Sequence, residues 1–216
     1  MYLATATRPD ISHAVSVLSQ FNCCYGSDHW IAAKRVLRYL KKTRNYGLTF
    51  KKTGKRIVGY VDADWGANLD DRRSYTGYAF KFADSCISWE SRKQRTVALS
   101  STEAEYMALT EATKEAIYWR QFLKEISNDE LPITLHCDNQ GAMLLAKNPV
   151  FHAWTKHVDI RHHFVREALD ENKISIRYLD TSNMPADDLT MALPNPKHME
   201  CAKCFGLGPD ESKISK

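Results

Sequence analysis

Val58-Gly-Tyr-Val-Asp62-Ala-Asp64-Trp65 is an apolar run that ends in carboxylates and passes at once into tight polar chain. Its alternation reads as a strand, Ile57 to Asp64, buried on one face and delivering Asp62 to the rim of a sheet. An acid in that position is commonly a solvated strand terminus. It becomes a metal-ligand candidate when other acids converge on the same rim. Asp64 shares the face of Asp62, being two residues on. Trp65 and Gly66 put the end of the strand at Asp64, so Asp62 is the better candidate.

Outward from this strand, Tyr75 to Phe82 and Ile87 to Ser91 read as two more strands, joined in a hairpin over Ala83-Asp84-Ser85. A long helix from Ser101 to Ile126 offers Ala104, Ala108, Ala112, Ile117, Phe122 and Ile126 to the core. Leu131 to Cys137 is a short strand ending at Asp138. The helix Asn139 to Lys147 follows and is stopped by Asn148-Pro149. A helix from Val158 to Glu171, a strand from Ile174 to Leu179 and a short helix from Pro185 to Leu193 complete the series. Five strands with interleaved helices describe an α/β fold: a mixed sheet flanked by helices.

Two helices come first. One starts at Thr7-Arg-Pro9-Asp10, with Pro and Asp favourable in the first turn. The other starts at Asp28, with Trp30, Ala33, Leu37 and Leu40 along one side and a strongly basic remainder. We divide the chain into a helical segment (1–52), an α/β domain (53–195), and a C-terminal helix with a frayed tail (196–216).

With 216 residues, 44% hydrophobic and 26% charged, the chain can bury a substantial core and is not of disordered composition. No apolar run is long enough to span a membrane, and the N-terminus lacks the basic start and apolar block of a signal peptide. The expected setting is intracellular, in cytoplasm or nucleus, with the six cysteines as free thiols. His198-Met-Glu-Cys201-Ala-Lys-Cys204 contains a Cys-x-x-Cys, but no second ligand pair stands at zinc spacing. Charge is uneven. Residues 1–56 hold 11 Lys/Arg against Asp10 and Asp28, and the remainder is net acidic. That asymmetry suits a protein that holds a polyanion beside bound cations.

Three further acidic stretches bear on Asp62. In Ser100-Ser-Thr102-Glu103-Ala-Glu105, both Ser100-x-x-Glu103 and Thr102-x-x-Glu105 match a capping box, so one glutamate caps and the other is free to face the rim. Asp138 follows a strand end, where open sheets gather ligands, and is equally placed to cap the next helix. In Pro185-Ala-Asp187-Asp188-Leu-Thr190 an aspartate enters a first helical turn, where the dipole alone favours it. Singly, each acid has an ordinary structural role. Jointly they form the oxygen-ligand set that magnesium requires, and two such ions about 4 Å apart serve phosphodiester cleavage.

Gly59-Tyr-Val-Asp62-Ala-Asp-Trp65, Ser74-Tyr-Thr-Gly-Tyr78, Ser100-Ser-Thr-Glu-Ala-Glu-Tyr106, Cys137-Asp-Asn139 and Lys156-His-Val-Asp-Ile-Arg161 come in this order over most of the chain. Together they resemble the ribonuclease H domain of copia-type retrotransposon Pol polyproteins. Tyr2-Leu-Ala-Thr-Ala-Thr-Arg-Pro-Asp-Ile11 and Ala33-Lys-Arg-Val-Leu-Arg-Tyr-Leu40 are similar to the end of the preceding reverse transcriptase region. The resemblance implies a ribonuclease H-like five-stranded sheet and hydrolysis of the RNA strand of RNA/DNA hybrids. The implied cofactors are two Mg2+ ions, with Mn2+ as substitute.

Carried over, the catalytic and metal-binding set is Asp62, Glu105, Asp138 and Asp187, with Asp188 as the alternative to Asp187. Glu105 matches the family pattern through Glu105-Tyr-Met-Ala108, which leaves Glu103 to cap. In the implied roles Asp62 bridges both ions, Glu105 and Asp138 hold the one near the leaving oxygen, and Asp187 holds the one that activates water. Lys34, Arg38, Lys41 and Arg95 would neutralise phosphates, with His157 as an accessory group. The hybrid would be selected by shape and 2′-hydroxyl contacts. The partners implied are that hybrid and the reverse transcriptase portion of the same polyprotein, with no membrane. The usual Leu-Thr-Lys of the last motif is broken by Met191. No paired-aspartate polymerase motif occurs, so no polymerase activity is expected. The rival reading is an inactive or co-opted remnant that binds nucleic acid; retention of four mutually repelling acids favours the enzyme.

Overall fold

The computed structural model describes residues 1–147 and 156–209; the side chains of residues 156–160 and 162 lie outside the description. In chain order the first elements are α1 (Tyr2–Ala6), a 3-10 turn (Pro9–Ile11), α2 (Ser12–Ser19), α3 (Ser27–Lys42) and β1 (Tyr46–Leu48). Then come β2 (Val58–Ala63), β3 (Tyr75–Phe82), β4 (Ser85–Lys93), α4 (Ser101–Ser127), β5 (Ile133–Cys137) and α5 (Gln140–Lys147). The series ends with α6 (Lys156–Asp170), β6 (Ile174–Tyr178), 3-10 turns at Thr181–Asn183 and Pro185–Leu189, α7 (Asn195–Cys204) and β7 (Leu207–Pro209).

The strand that opens the sequence reading is the middle of a five-stranded sheet of order β4-β3-β2-β5-β6. β2 pairs antiparallel with β3 and parallel with β5, so the sheet is mixed. The β3–β4 hairpin turns on Ala83 (φ 54°) and Asp84 (φ 63°), both left-handed, which is the twist a two-residue hairpin loop demands. The ladder slips between Phe80 and Lys81, leaving Ile87 unmatched as a bulge.

Strand alternation divides the side chains between two cores. Val61, Phe80 and Leu135, all fully buried, face α4, α5 and α6 together with Leu109 and Val165. Each such side chain contributes about 1.5–3 kcal/mol of burial. On the other face Ala79 and Cys86 pack with Leu189, Cys201 and Phe205. The 3-10 turn at 185–189 therefore lies flat on β2 and β3, and α7 lies over it.

Some expectations change in three dimensions. α4 has 27 residues, about 40 Å of helix, whereas five-residue β5 is about 17 Å long. The helix overshoots the sheet, so Phe122 (40% exposed) and Ile126 (64%) reach solvent instead of the core. The apolar side of α3 is also uncovered: Trp30 is 58% and Leu37 62% exposed, and the helix has no buried residue. The expected helix at 185–193 is a 3-10 turn that stops at Leu189. After α7, Phe205 is fully buried and β7 pairs with β1, an ordered ending that three-residue strands give no periodicity to foresee. The frayed tail expected beyond them, 210–216, lies outside the described residues.

The N-terminal segment rests on the sheet. Trp89 Nε1 donates to the Ala4 carbonyl (2.7 Å), and α2 packs on β4. Arg8 and Asp10 form a buried two-pronged pair, Nε–Oδ1 2.9 Å and Nη2–Oδ2 2.7 Å, and Arg8 Nη2 also reaches Thr43 Oγ1 (2.7 Å). No helix among the described residues is long and apolar enough to cross a membrane.

Gly77 marks the tightest contact of the sheet with the 3-10 turn. A Cβ there would stand 2.7 Å from Thr190 Cγ2, 2.8 Å from Leu189 Cβ and 3.1 Å from the Ala186 carbonyl. Gly77→Ala is expected to destabilise the fold by about 1–3 kcal/mol. Gly47→Ala, with nothing within 4 Å, is expected to change stability by well under that. Urea denaturation of the two variants checks the contrast.

Candidate active site

Parallel pairing of β2 with β5 brings their C-terminal ends side by side, and there the chain delivers Asp62 and Asp138. Asp62 lies opposite Gly77, is 4% exposed, and accepts a hydrogen bond at Oδ2 from the Thr190 hydroxyl. Asp138 Oδ2 accepts from Thr181 Oγ1 (2.6 Å). The cap of α5 is supplied by its neighbour instead, since Asn139 Oδ1 accepts from Ala142 N (2.9 Å). That frees Asp138 from the ordinary capping role.

At the start of α4 the two glutamates separate. Ser100 is the N-cap and accepts from Glu103 N (3.1 Å), while Glu103 Oε2 reaches back to Leu99 N (2.7 Å). Glu105, two residues further round the helix, is buried and points to Asp62 and Asp138. Its Oε2 has no hydrogen-bond partner. Asp64 is fully used within its own loop, accepting from Tyr75 N at Oδ1 and from Ala67 N at Oδ2 (3.1 Å).

The 3-10 turn splits Asp187 from Asp188. Asp187 faces Asp62 and Asp138, and its buried Oδ1 has no partner. Asp188 turns the other way, with Oδ1 2.6 Å from His198 Nδ1 and Asp10 as its acidic neighbour. The structure thus brings Asp62, Glu105, Asp138 and Asp187 together and leaves Asp188 outside.

Burial and mutual repulsion set the electrostatics. Burial pushes Asp62 up to about 6; Thr190 opposes the shift and Asp138 adds to it. Burial, then Asp62 and Asp138, push Asp187 up to about 7. Glu105 is held well above the usual carboxylate range by burial and by the same two acids. Ligand atoms of Glu105, Cys137 and Asp138 lie within 4.8 Å of one another. Burial raises the Cys137 thiol, which keeps it protonated and makes it a poor ligand for a hard cation. Oxygen donors, two of them partnerless, in a pocket short of positive charge are what a divalent cation fits.

The basic residues occupy two places. Lys34, Arg38 and Lys41 lie exposed on α3. Arg95 stands in the β4–α4 connection beside a cleft of about 300 Å³ that Arg92, Lys93, Lys114 and Arg161 also line, with Glu111 as the acid among them. The side chain of His157 lies outside the described residues. Sequence reasoning missed Thr190 and Thr181, which tether two of the acids; Thr190 follows Asp187 by three residues within a quoted motif, whereas nothing near Thr181 signals its role. The thiols Cys201 and Cys204 join no metal-ligand group among the described residues, and His198 is engaged with Asp188.

No protein-family model matches the chain. Among curated proteins, the retrovirus-related Pol polyprotein from transposon TNT 1-94 of Nicotiana tabacum is 43% identical over 207 residues, 96% of this chain and 16% of that protein. The chain belongs to the copia-type retrotransposon Pol polyproteins. It spans about a sixth of the length of that relative (16%). The secreted RxLR effector protein 161 of Plasmopara viticola is 58% identical over 119 residues, 55% of this Pol-family chain and 84% of that protein. The foamy viral protease-reverse transcriptase, solved in complex with RNA/DNA hybrid, superposes with a TM-score of 0.52 at 15% identity, covering 88% of this chain and 24% of that one. The sheet order and helix placement are those of the ribonuclease H-like fold.

The raised carboxylates carry a sign that can be measured. Asp62 and Asp187 ionise near 3.8 when unfolded and near 6 and 7 when folded, so the folded state binds more protons between these values. Stability of the metal-free protein therefore falls as pH rises from about 4 through 7. Thermal melts in EDTA are expected to show a lower Tm at pH 8 than at pH 5. Adding Mg2+ at pH 8 should recover most of the difference, because a cation replaces the missing protons. A Tm that is flat with pH and indifferent to Mg2+ would contradict this reading of the pocket.

Proposed function

We propose that this chain is a ribonuclease H that hydrolyses the RNA strand of RNA/DNA hybrids, with two Mg2+ ions held by Asp62, Glu105, Asp138 and Asp187. The observation that carries the reading is the convergence of these four acids from four separate segments, Asp62, Glu105 and Asp187 buried and Asp138 half-buried, with Glu105 Oε2 and Asp187 Oδ1 left partnerless. Family membership and the hybrid bound by the foamy viral relative support the same substrate. When bound, the ions supply Lewis-acid charge that activates water and offsets the charge growing on the leaving oxygen.

The protein's own part is positioning. Asp62 is fixed by its place in the central strand and by the Thr190 hydroxyl, and Asp138 by Thr181. Glu105 sits on a helix whose capping is handled by Ser100 and Glu103, so its carboxylate is not diverted to the backbone. Asp187 rides on a turn clamped against Gly77. Carboxylates fixed in this way need no rearrangement to receive cations, and preorganised charge is worth most in a dry site. The cationic cleft around Arg95 and the exposed lysines and arginines of α3 neutralise phosphates, which holds the hybrid without reading its sequence.

Cleavage of an end-labelled RNA/DNA hybrid in Mg2+ tests the proposal. The wild type is expected to cut only the RNA strand. Asp62→Asn and Asp138→Asn should fold, bind the hybrid and give background cleavage. A folded wild type that binds the hybrid and cuts nothing, in Mg2+ or in Mn2+, would leave a binding module in place of the enzyme.

A further inference from the structure

A chain of buried and half-buried polar contacts runs from the N-terminal segment to the turn that carries Asp187. Arg8 grips Asp10 with two nitrogens and holds Thr43 through its Oγ1 (2.7 Å) and carbonyl (3.2 Å). Tyr39 OH, on α3, donates to Asp10 Oδ2 (2.7 Å). His198 Nε2 lies 3.2 Å from the same hydroxyl, and its Nδ1 lies 2.6 Å from Asp188 Oδ1. The bonds diverge from His198: the Tyr39 hydrogen goes to Asp10, so His198, as the doubly protonated imidazolium, donates at Nε2 to Tyr39 and at Nδ1 to Asp188. α2 packs against the same turn as well and brings the His13 imidazole close to the Leu189 backbone. Asp188 and Leu189 immediately follow Asp187 in a turn of five residues, too short for one to move without the other.

The arrangement asks for an explanation that packing does not supply. The turn already has apolar anchorage through Leu189, Cys201 and Phe205. A linked set of polar groups, with Arg8, Asp10, Thr43 and Asp188 buried, costs desolvation and is worth keeping where it fixes a unique geometry. Here it fixes the orientation of the one acid that comes from neither a strand nor a long helix.

We propose that His198, oriented by Tyr39 and Asp10, is a positioning residue for Asp187, so that the N-terminal helical segment sets the divalent-cation affinity of the site. The inference rests on Asp187 being a ligand, as proposed above. It assigns work to residues 1–43 beyond that of a connecting remnant. Through Asp188, His198 aims the Asp187 carboxylate at Asp62 and Asp138, and Tyr39 carries the constraint across to α3. Loss of a group hydrogen-bonded directly to a metal ligand typically costs 10–100-fold in metal affinity, and His198 acts one residue removed, through Asp188, so the lower end of that range applies.

The test measures Mn2+ binding by electron paramagnetic resonance on the full chain, without substrate. His198→Ala is expected to weaken Mn2+ binding by about 10-fold. His198→Asn keeps a donor near the Nδ1 position and should restore most of the affinity. Tyr39→Phe removes one hydroxyl and should weaken binding several-fold. Hybrid binding in EDTA should be the same for all three variants and the wild type, since no metal is involved. Wild-type Mn2+ affinity in a folded His198→Ala would overturn the proposal; if that variant fails to fold, wild-type affinity in Tyr39→Phe would overturn it equally. Asp187→Asn separates this from the parent reading: if it binds Mn2+ as tightly as the wild type, Asp187 is no ligand and both fall. If it binds weakly while His198→Ala binds normally, only the positioning role is lost.

Discussion

Four carboxylates, three buried and Asp138 half-buried, converge and repel one another, and the molecule accepts that cost at the C-terminal ends of β2 and β5. Much else in the structure follows from meeting it. The acids arrive from a central strand, a strand end, a helix start and a 3-10 turn, so no single element carries the strain. Each is held by something other than a counter-charge: a threonine hydroxyl for Asp62, another for Asp138, the capped first turn of α4 for Glu105, and a turn pressed onto Gly77 for Asp187. Burial then keeps protons on Asp62, Glu105 and Asp187 to higher pH than usual, the condition from which a divalent cation gains most on binding.

The parallel pairing of β2 with β5 is the geometric counterpart of that constraint. Antiparallel neighbours would send the two strand ends to opposite edges of the sheet. A parallel pair puts both at one edge, in the region where open α/β sheets gather ligands. The antiparallel hairpin β3–β4 serves a different purpose. It widens the sheet so that one face receives α4 to α6 while the other receives the 3-10 turn, α7 and the N-terminal helices. Gly77 belongs to this division of labour: only a residue without a side chain lets the turn approach closely enough for Thr190 to reach Asp62.

Much of the fold was legible because its elements are long and periodic. The five strands, α4 and the position of Asp62 follow from alternation and spacing, whereas capping patterns left Glu103 and Glu105 equal and the family pattern at Glu105-Tyr-Met-Ala108 decided between them. What escaped the sequence depends on long-range contact. Thr190 and Asp62 are 128 residues apart, and Tyr39 and His198 are 159 apart, so no window of sequence contains either pair. The apolar stripe of α3 has the period of a core-facing helix, yet Trp30 and Leu37 are exposed because the elements packed on that helix, chiefly α2, leave them uncovered. The choice of Asp187 over Asp188 could not come from spacing, since adjacent residues in a helical turn differ only in which neighbour each one meets.

The account stands on one claim: the pocket between Asp62, Glu105, Asp138 and Asp187 is a site for divalent cations. Anomalous scattering from crystals of the Glu105→Gln variant with RNA/DNA hybrid and Mn2+ tests it most directly. The account predicts anomalous peaks within coordination distance of Asp62, Asp138 and Asp187, on the side facing the RNA strand. Density for the hybrid with no anomalous peak at these carboxylates, or with Mn2+ bound only elsewhere, would contradict it.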